Sequence, residues 1–530
     1  MEKKKVAIFG GGIAGLTVAH ECIEAGFEVH LYEKRSFFGG KALGMRDDKG
    51  FPIEHATRVY MSVYCCFLET MKRISLGDHR TAFDNLVPLD GIIFSYQKQN
   101  TYVSLKYADN PIHRFFALIK NQRDWGLSWL EILQILWVPI SFMCRSEERN
   151  LDTRWKCSFA ECHFKNKSEK YKEYLETLFN QFIAARCHTV SVILDDLMVK
   201  FLDLTNNPYE LPSLIQFTNG PTNEALIDPW VKHLAKLGVH FHLSSSVEKL
   251  VIENDSIQAA VMNNGKEVQA DGYVLALPYS VTQALTPFLH LPSRVNLEWS
   301  MGFQIYLNQM PESFSKQKVF VNLQDSPWKL LYLLEGPLLW PTMDYPQNVK
   351  TVLSGIIGNC NNPGKIYGKS AFACRPEELK EEIFAQLGLD HQHVISSFKL
   401  DPTIEFLHSS EIDKNSKYAS WDKGPLFEDG YRWVFESSIF IQKPGDFKHR
   451  IPAHTSIQNL FLAGEYLETS FHIPTMERAC ESGKRCANKI YQAFGLQYPQ
   501  KRLFRAPMPL GWIRKIDSFL YRLTKALRPR

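Results

Sequence analysis

The sequence predicts an α/β fold: a parallel-sheet domain opens the chain, and a mixed α+β region is inserted within it. Three observations carry this. Val6 to Phe9 is a short, wholly apolar run, the pattern of a parallel strand buried on both faces, and Gly10-Gly11-Gly12-Ile13-Ala14-Gly15 follows it. Ile13 to Ala25 then reads as a helix closed by Gly26, and Val29 to Tyr32 as a second strand ending at Glu33. Far downstream, Val239 to Pro278 and Asn459 to Ala463 return to strand patterns after a long region of helical periodicity from Tyr107 to Leu204.

At 530 residues the chain is too long for one core, so two or more domains are expected. A hydrophobic fraction of 45% excludes a disordered or fibrous protein. The net charge of +4 is unevenly placed: from Lys501 to Arg530 there are nine Lys or Arg against Asp517 alone, which leaves the body mildly acidic. The eleven cysteines form no C-x-x-C and no zinc or iron spacing, so no metal is expected, and they read as reduced thiols of a cytoplasmic protein. Lys3 to Lys5 before an apolar run superficially resembles an export signal, but Gly10 to Gly12 break the run at once.

The G-x-G-x-x-G string gains meaning from its context, because it leaves a strand, opens a helix and precedes an acid at the end of the next strand. This is a Rossmann-type dinucleotide cradle. Gly10 permits the tight turn, Gly12 lets the backbone approach a pyrophosphate, and Gly15 lets helix and strand pack closely. The helix N-terminus at Ile13 and Ala14 offers orphan N–H groups and a partial positive charge to phosphate. Glu33 can accept hydrogen bonds from both ribose hydroxyls and repels a 2′-phosphate.

The same cradle serves NAD and FAD, and the residues after Glu33 separate them. Glu33-Lys34-Arg35 followed by Gly39-Gly40-Lys41 resembles the extended motif of the FAD-dependent amine oxidase and phytoene desaturase superfamily. Gly50 to Tyr64 is similar to the segment that passes the flavin ring in carotenoid desaturases. It departs from them at Ala56 and Ser62, where glycine is usual, and at Arg58, where histidine is usual. Asn219-Gly220-Pro221 and Asp228-Pro229-Trp230, with Val239 to Val247, resemble the second FAD-contacting stretch, and Asn459 to Glu465, Met476-Glu477 and Ser482-Gly483 resemble the C-terminal one. The resemblance implies FAD as cofactor, held by Lys34, Arg35, Gly39, Gly40 and Lys41 besides the cradle. It puts the backbone of Val247 at the adenine, Gly464 and Glu465 at the ribityl chain or pyrophosphate, and Met476 at the pyrimidine edge of the flavin.

It also implies a Rossmann-type, GR2-like FAD domain in three parts, 1–95, 213–285 and 450–495. A mainly helical substrate or membrane-facing region would occupy 96–212, a substrate domain 286–449 and a basic tail 496–530. In such enzymes flavin N5 takes a hydride and the protein supplies position and electrostatics. His55, Arg58 and Tyr60 are the candidate catalytic residues beside the ring. Arg58 either steadies negative charge there or pairs with a structural carboxylate such as Glu54; His55 is either a base or a structural histidine.

Trp125 to Met143 is the most apolar stretch, and Glu131, Gln134 and Pro139 interrupt it, favouring a buried or surface-embedded helix over a membrane span. In the tail, Trp512, Ile516, Phe519, Leu520, Leu523 and Leu527 recur at helical spacing, with Arg514, Lys515, Arg522, Lys525 and Arg528 opposite. Either that helix lies on an anionic membrane, or it docks on the body with its basic face in water; its short basic face argues against nucleic acid. The expected function is FAD-dependent desaturation or isomerisation of a long apolar isoprenoid or lipid-type substrate, peripheral on a membrane, with quinone or oxygen as electron acceptor. The alternative is oxidation of a small soluble amine by oxygen.

Overall fold

A computed structural model of the chain describes residues 3–55, 58–183, 186–190, 198–199, 207–291, 296–298, 300–309, 317–336, 338–341, 343–346, 348–389, 395–414, 418, 421–436, 439–441, 444–445, 450–503 and 510–526. Ala56, Arg505, Leu527, Arg528 and Arg530 lie outside the described residues.

The N-terminal apolar run is strand Lys5–Phe9, and its neighbours are parallel on both sides. The sheet order is His240–His242, Glu28–Tyr32, Lys5–Phe9, Gly272–Leu275 and Leu460–Leu462. Segments far apart in sequence thus become adjacent strands: the central ones are short apolar stretches that must be covered on both faces, and His240–His242 forms the more exposed edge. Helix Ile13–Glu24 packs against helix Met476–Ala493, joining the two ends of the fold. Gly15 makes the first turn of the earlier helix possible: a Cβ there would stand 1.9 Å from the Gly10 carbonyl oxygen.

A second sheet of seven strands runs Gln99–Ser104, Gly91–Tyr96, Val319–Leu323, Leu331–Leu334, Thr351–Ile357, Met301–Leu307 and Ile395–Leu400. Strand Gly91–Tyr96 lies parallel to Val319–Leu323. Residue 95, where the first part of the FAD domain is expected to end, lies within strand Gly91–Tyr96 of this sheet.

The helical region holds helices Pro111–Asp124, Trp129–Met143, Glu147–Asp152, Phe159–His163 and Glu169–Ile183. The apolar stretch expected from Trp125 divides: Trp125 ends one helix, Gly126 turns with φ of 79°, and Ser128 opens the next by a reciprocal cap with Glu131. Among the described residues no helix is long and apolar enough to cross a membrane. Helix Trp129–Met143 buries Ile132, Ile135, Val138 and Phe142, while Trp129, Leu130, Leu133 and Trp137 stay 61–67% exposed.

The tail forms helix Gly511–Ala526, and it docks the opposite way to the docked alternative foreseen above. Asp517 accepts from the Ser146 N–H and hydroxyl at 2.8 Å each and pairs with Arg149. Tyr521 and Lys525 donate to Asp152 at 3.0 and 2.6 Å, and Arg522 to Glu148 at 2.7 Å. Trp512, Ile516, Phe519, Leu520 and Leu523 are left exposed. The polar face holds the body and the apolar face looks outward.

Glu477, in the first turn of helix Met476–Ala493, accepts the Cys66 and Phe67 N–H groups at 3.0 and 2.8 Å and so caps helix Cys65–Arg73. Burial pushes its carboxyl up to about 7, against these two bonds. From its ordinary value of 4.5 to about 7 the folded chain keeps a proton that the unfolded chain releases, so this group's contribution to stability falls as pH rises through that window. Glu477→Gln should remove that slope, worth at most about 3 kcal/mol. Urea midpoints at pH below and above the window check it: wild type should lose stability relative to the variant as pH rises, and parallel profiles would refute the assignment.

Candidate dinucleotide site

A cavity of about 620 Å³ lies over the C-terminal ends of the parallel strands, where Phe9, Tyr32, Ala276 and Gly464 mark its floor. Two glycine loops form one wall. Gly39 N–H donates to the Gly11 carbonyl at 3.0 Å, and a Cβ on Gly40 would stand 2.9 Å from the Gly12 Cα. Gly12 opens helix Ile13–Glu24 with no side-chain cap and no acid in the first turn, so its orphan N–H groups stay available to an anion.

Glu33, buried at the end of the second strand, is fixed by the Gly11 N–H on one oxygen and the Arg35 N–H on the other, at 2.8 and 2.9 Å. Each oxygen keeps a lone pair for a further donor. Lys34 and Arg35 both pair with Glu436, at 3.2 and 2.5 Å. Burial raises the Glu436 carboxyl, but the two cations outweigh it and hold it below the usual range. Lys41 pairs with Glu465 across the cavity. Behind Glu465 stands the buried Arg478, which donates to the His472 carbonyl at 3.0 Å; burial lowers it to about 10 while Glu465 opposes that.

Gly10, Gly12, Ile13, Ala14, Glu33, Lys34, Arg35, Gly39, Gly40, Lys41, Val247, Gly464, Glu465 and Met476 all line this one cavity. Gly15 does not; it underlies the loop.

Of the three candidate catalytic residues, two reach the cavity. Arg58 lines it but is tethered, donating to Glu54 at 3.2 Å and to the Lys41 and Leu43 carbonyls at 2.9 and 3.1 Å. Glu54 is wholly buried, and desolvation raises its carboxyl although Arg58 and Thr222 oppose the shift. The structural pairing foreseen for Arg58 is therefore present, together with a place on the wall. His55 lines the cavity and its Nδ1 pairs with the buried Asp401, whose other oxygen accepts from the Thr403 N–H and hydroxyl at 2.8 Å each. That leaves Nε2 as the ring nitrogen not engaged with Asp401. Tyr60 is turned away: it is 0% exposed, stacks on Phe67 at 6.0 Å and is no part of the cavity wall, because strand Tyr60–Met61 points it into the core. Ser62, one of the departures from glycine, is buried and bonded to the Tyr107 hydroxyl at 2.6 Å.

Sequence reasoning missed Glu436, Asp401 and the apolar end. That end is lined by Phe320, Leu331 and Ile356 of the seven-stranded sheet, Met61 and Ile215 of a small sheet formed by Tyr60–Met61, Ile215–Thr218 and Leu86–Pro88, and Phe182 of the helical region. No local pattern marks these residues. Arg478 had a signal, lying two residues past Met476 in the C-terminal motif.

The family model described as flavin containing amine oxidoreductase matches residues 13–302. The chain belongs to this family. It is 22% identical over 518 residues to 15-cis-phytoene desaturase of an Oncidium hybrid cultivar, covering 92% of this chain and 78% of that one. To zeta-carotene desaturase of Synechocystis it is 24% identical over 548 residues, covering 92% and 97%. Among solved structures, putrescine oxidase bound to putrescine superposes with a TM-score of 0.60 at 13% identity, covering 93% of this chain and 99% of that one. Cyclohexylamine oxidase from Brevibacterium oxydans gives 0.58 at 13%, covering 93% and 100%. The protein is an FAD-dependent oxidoreductase, and the uncapped helix, the paired glycine loops and the fixed Glu33 are a donor set that fits the dinucleotide.

Two glycines of this flavoenzyme should part on substitution. A Cβ on Gly12 meets nothing nearer than 3.6 Å, whereas one on Gly15 meets a carbonyl at 1.9 Å. Gly12→Val should fold with near-normal stability but lose at least about tenfold in FAD affinity; Gly15→Val should fail to fold stably. Thermal melts and flavin titration distinguish them, and a Gly12→Val protein that keeps FAD would contradict the placement of the phosphates.

Proposed function

We propose that this flavoenzyme dehydrogenates or isomerises a long apolar substrate of isoprenoid or lipid type, drawn from a membrane surface. The observation that carries the proposal is the apolar end of the cavity. Six apolar side chains there exclude water and offer no charge to a polar substrate. The desaturase relatives act on substrates of that class by their names, which supports the reading. Bound FAD supplies the hydride acceptor. The chain's own contribution is orientation: Glu33, the glycine loops, Glu465 and Met476 hold the cofactor along one wall, and Arg58 keeps a positive charge beside it. His55, aimed by Asp401, takes a proton at Nε2 from the carbon next to the one losing hydride. Turnover would need an external electron acceptor, quinone or oxygen, to return bound FAD to its oxidised form.

The membrane part of the proposal rests on two outward apolar faces, on helices Trp129–Met143 and Gly511–Ala526. The tail helix packs on helix Glu147–Asp152, and its Arg514 Nε donates at 2.9 Å to the Arg145 carbonyl, two residues past the end of helix Trp129–Met143. Helix Glu169–Ile183 connects this face to the cavity: Ser168 and Lys167, at its start, bond Glu131 and Gln134 of helix Trp129–Met143, and Phe182 at its end lines the apolar wall. Fifteen residues give a path of about 22 Å.

The amine reading calls for two aromatic rings facing each other across a gap. Tyr279 and Tyr466 both line the cavity, but they pack edge to face with centroids 5.3 Å apart, which leaves no space for a substrate carbon between them. That counts against an amine.

Anaerobic mixing tests both. A polyene isoprenoid dispersed in vesicles should bleach the flavin and putrescine should not. His55→Asn should slow bleaching by about 10²-fold or more with FAD still bound. Bleaching by putrescine alone would overturn the proposal, and an unchanged rate in the variant would return His55 to a structural role.

A further inference from the structure

A second cavity, of about 530 Å³, lies apart from the flavin site and shares no lining residue with it. Leu133, Trp137 and Val138 of helix Trp129–Met143 form one side, and His163, Lys165 and Lys167 are on the other. It opens on the outward apolar face, since Leu133 and Trp137 are each 62% exposed.

The basic side is held in place. Asn166 adopts φ of 58°, turning the chain sharply between the two lysines. The Lys167 ammonium donates to the Gln134 side-chain oxygen at 2.6 Å and sits over the Tyr171 ring at 5.5 Å. Neither partner carries a charge. Glu131 is held below the usual carboxylate range chiefly by hydrogen bonds from Ser128 and Ser168, with a smaller pull from Lys167, so the lysine's charge is only partly offset. A groove divided into an aromatic-aliphatic half at the surface and a cationic half beside it matches an amphiphile, with its chains along Leu133 and Trp137 and an anionic head at the lysines.

We propose that this groove binds the phosphate headgroup of an anionic phospholipid and sets the seat of the enzyme on the membrane. The proposal rests on the membrane reading above and adds its lipid. On the tail helix, Arg522 and Lys525 are already paired with Glu148 and Asp152, so the lysines of the groove are not the only basic contact but are the ones set beside an apolar cleft.

The test uses the full-length flavoprotein. Calorimetric titration with dihexanoyl phosphatidic acid, a monomeric lipid, should show saturable binding, with dihexanoyl phosphatidylcholine and inorganic phosphate each weaker by about fivefold or more. Lys165→Ala with Lys167→Ala should weaken phosphatidic acid by about tenfold or more and leave phosphatidylcholine, FAD content and melting temperature unchanged. Equal affinity in the double variant, or inorganic phosphate as tight as the lipid, overturns the proposal; the second result would make it a free-phosphate site. Removing residues 511–530 should reduce co-sedimentation with phosphatidylcholine–phosphatidic acid vesicles without changing the short-chain affinity. Wild type that sediments with vesicles but ignores short-chain phosphatidic acid refutes the groove. Wild type that binds the short-chain lipid but no vesicles supports the groove and refutes the membrane reading.

Discussion

Everything at the flavin site depends on two glycine loops meeting without side chains between them. Gly11 and Gly12 leave the first strand, Gly39 and Gly40 arrive after the second, and a single added Cβ on Gly40 would press on Gly12 at 2.9 Å. That approach holds Lys41 where it meets Glu465 from the far end of the chain. It also sets the Lys41 and Leu43 carbonyls where they tether Arg58. Backbone contact at one point therefore fixes the cationic side chains along the cavity, and the helix beginning at Ile13 keeps its N–H groups for phosphate.

The outer surface follows a different balance. Burying a Phe or Leu is worth about 1.5–3 kcal/mol, and helices Trp129–Met143 and Gly511–Ala526 each leave several large apolar side chains in water. The tail helix is held by half-buried hydrogen bonds of Asp517 to Ser146 and of Tyr521 to Asp152, and by more exposed ion pairs at Glu148 and Asp152, each of the latter worth about 0–1 kcal/mol and weakened by salt. In water that apolar surface stays uncovered. Against a lipid interface the same arrangement is favourable, because the apolar surface is covered while the polar contacts stay on the protein side.

Much of the fold was legible because it is written locally. A buried parallel strand, an uncapped helix start and an acid at the next strand end are each a few residues long, and the strands Glu28–Tyr32, Gly272–Leu275 and Leu460–Leu462 all fell where apolar runs predicted them. The hairpin Val247–Glu253 to Ser256–Met262 turns at Asn254 and Asp255, both with positive φ, as the residue types required. Long-range pairing was not legible. Asp401 meets His55, and Glu436 meets Arg35, through tertiary packing alone, so no spacing announces them. Tyr60 misled because strand alternation, not nearness in sequence to Arg58, decides which residues face the cavity. The tail's helix was predicted from its periodicity, but its orientation depended on Glu148 and Asp152, acids on a distant short helix.

The most direct measurement is the identity and stoichiometry of the cofactor that the purified protein releases on denaturation. If Glu33 and the paired loops hold adenosine and pyrophosphate, portions that FMN lacks, the supernatant should contain FAD at close to one equivalent per chain. FMN in its place, or stoichiometric NADP with no flavin, would contradict the account at its root.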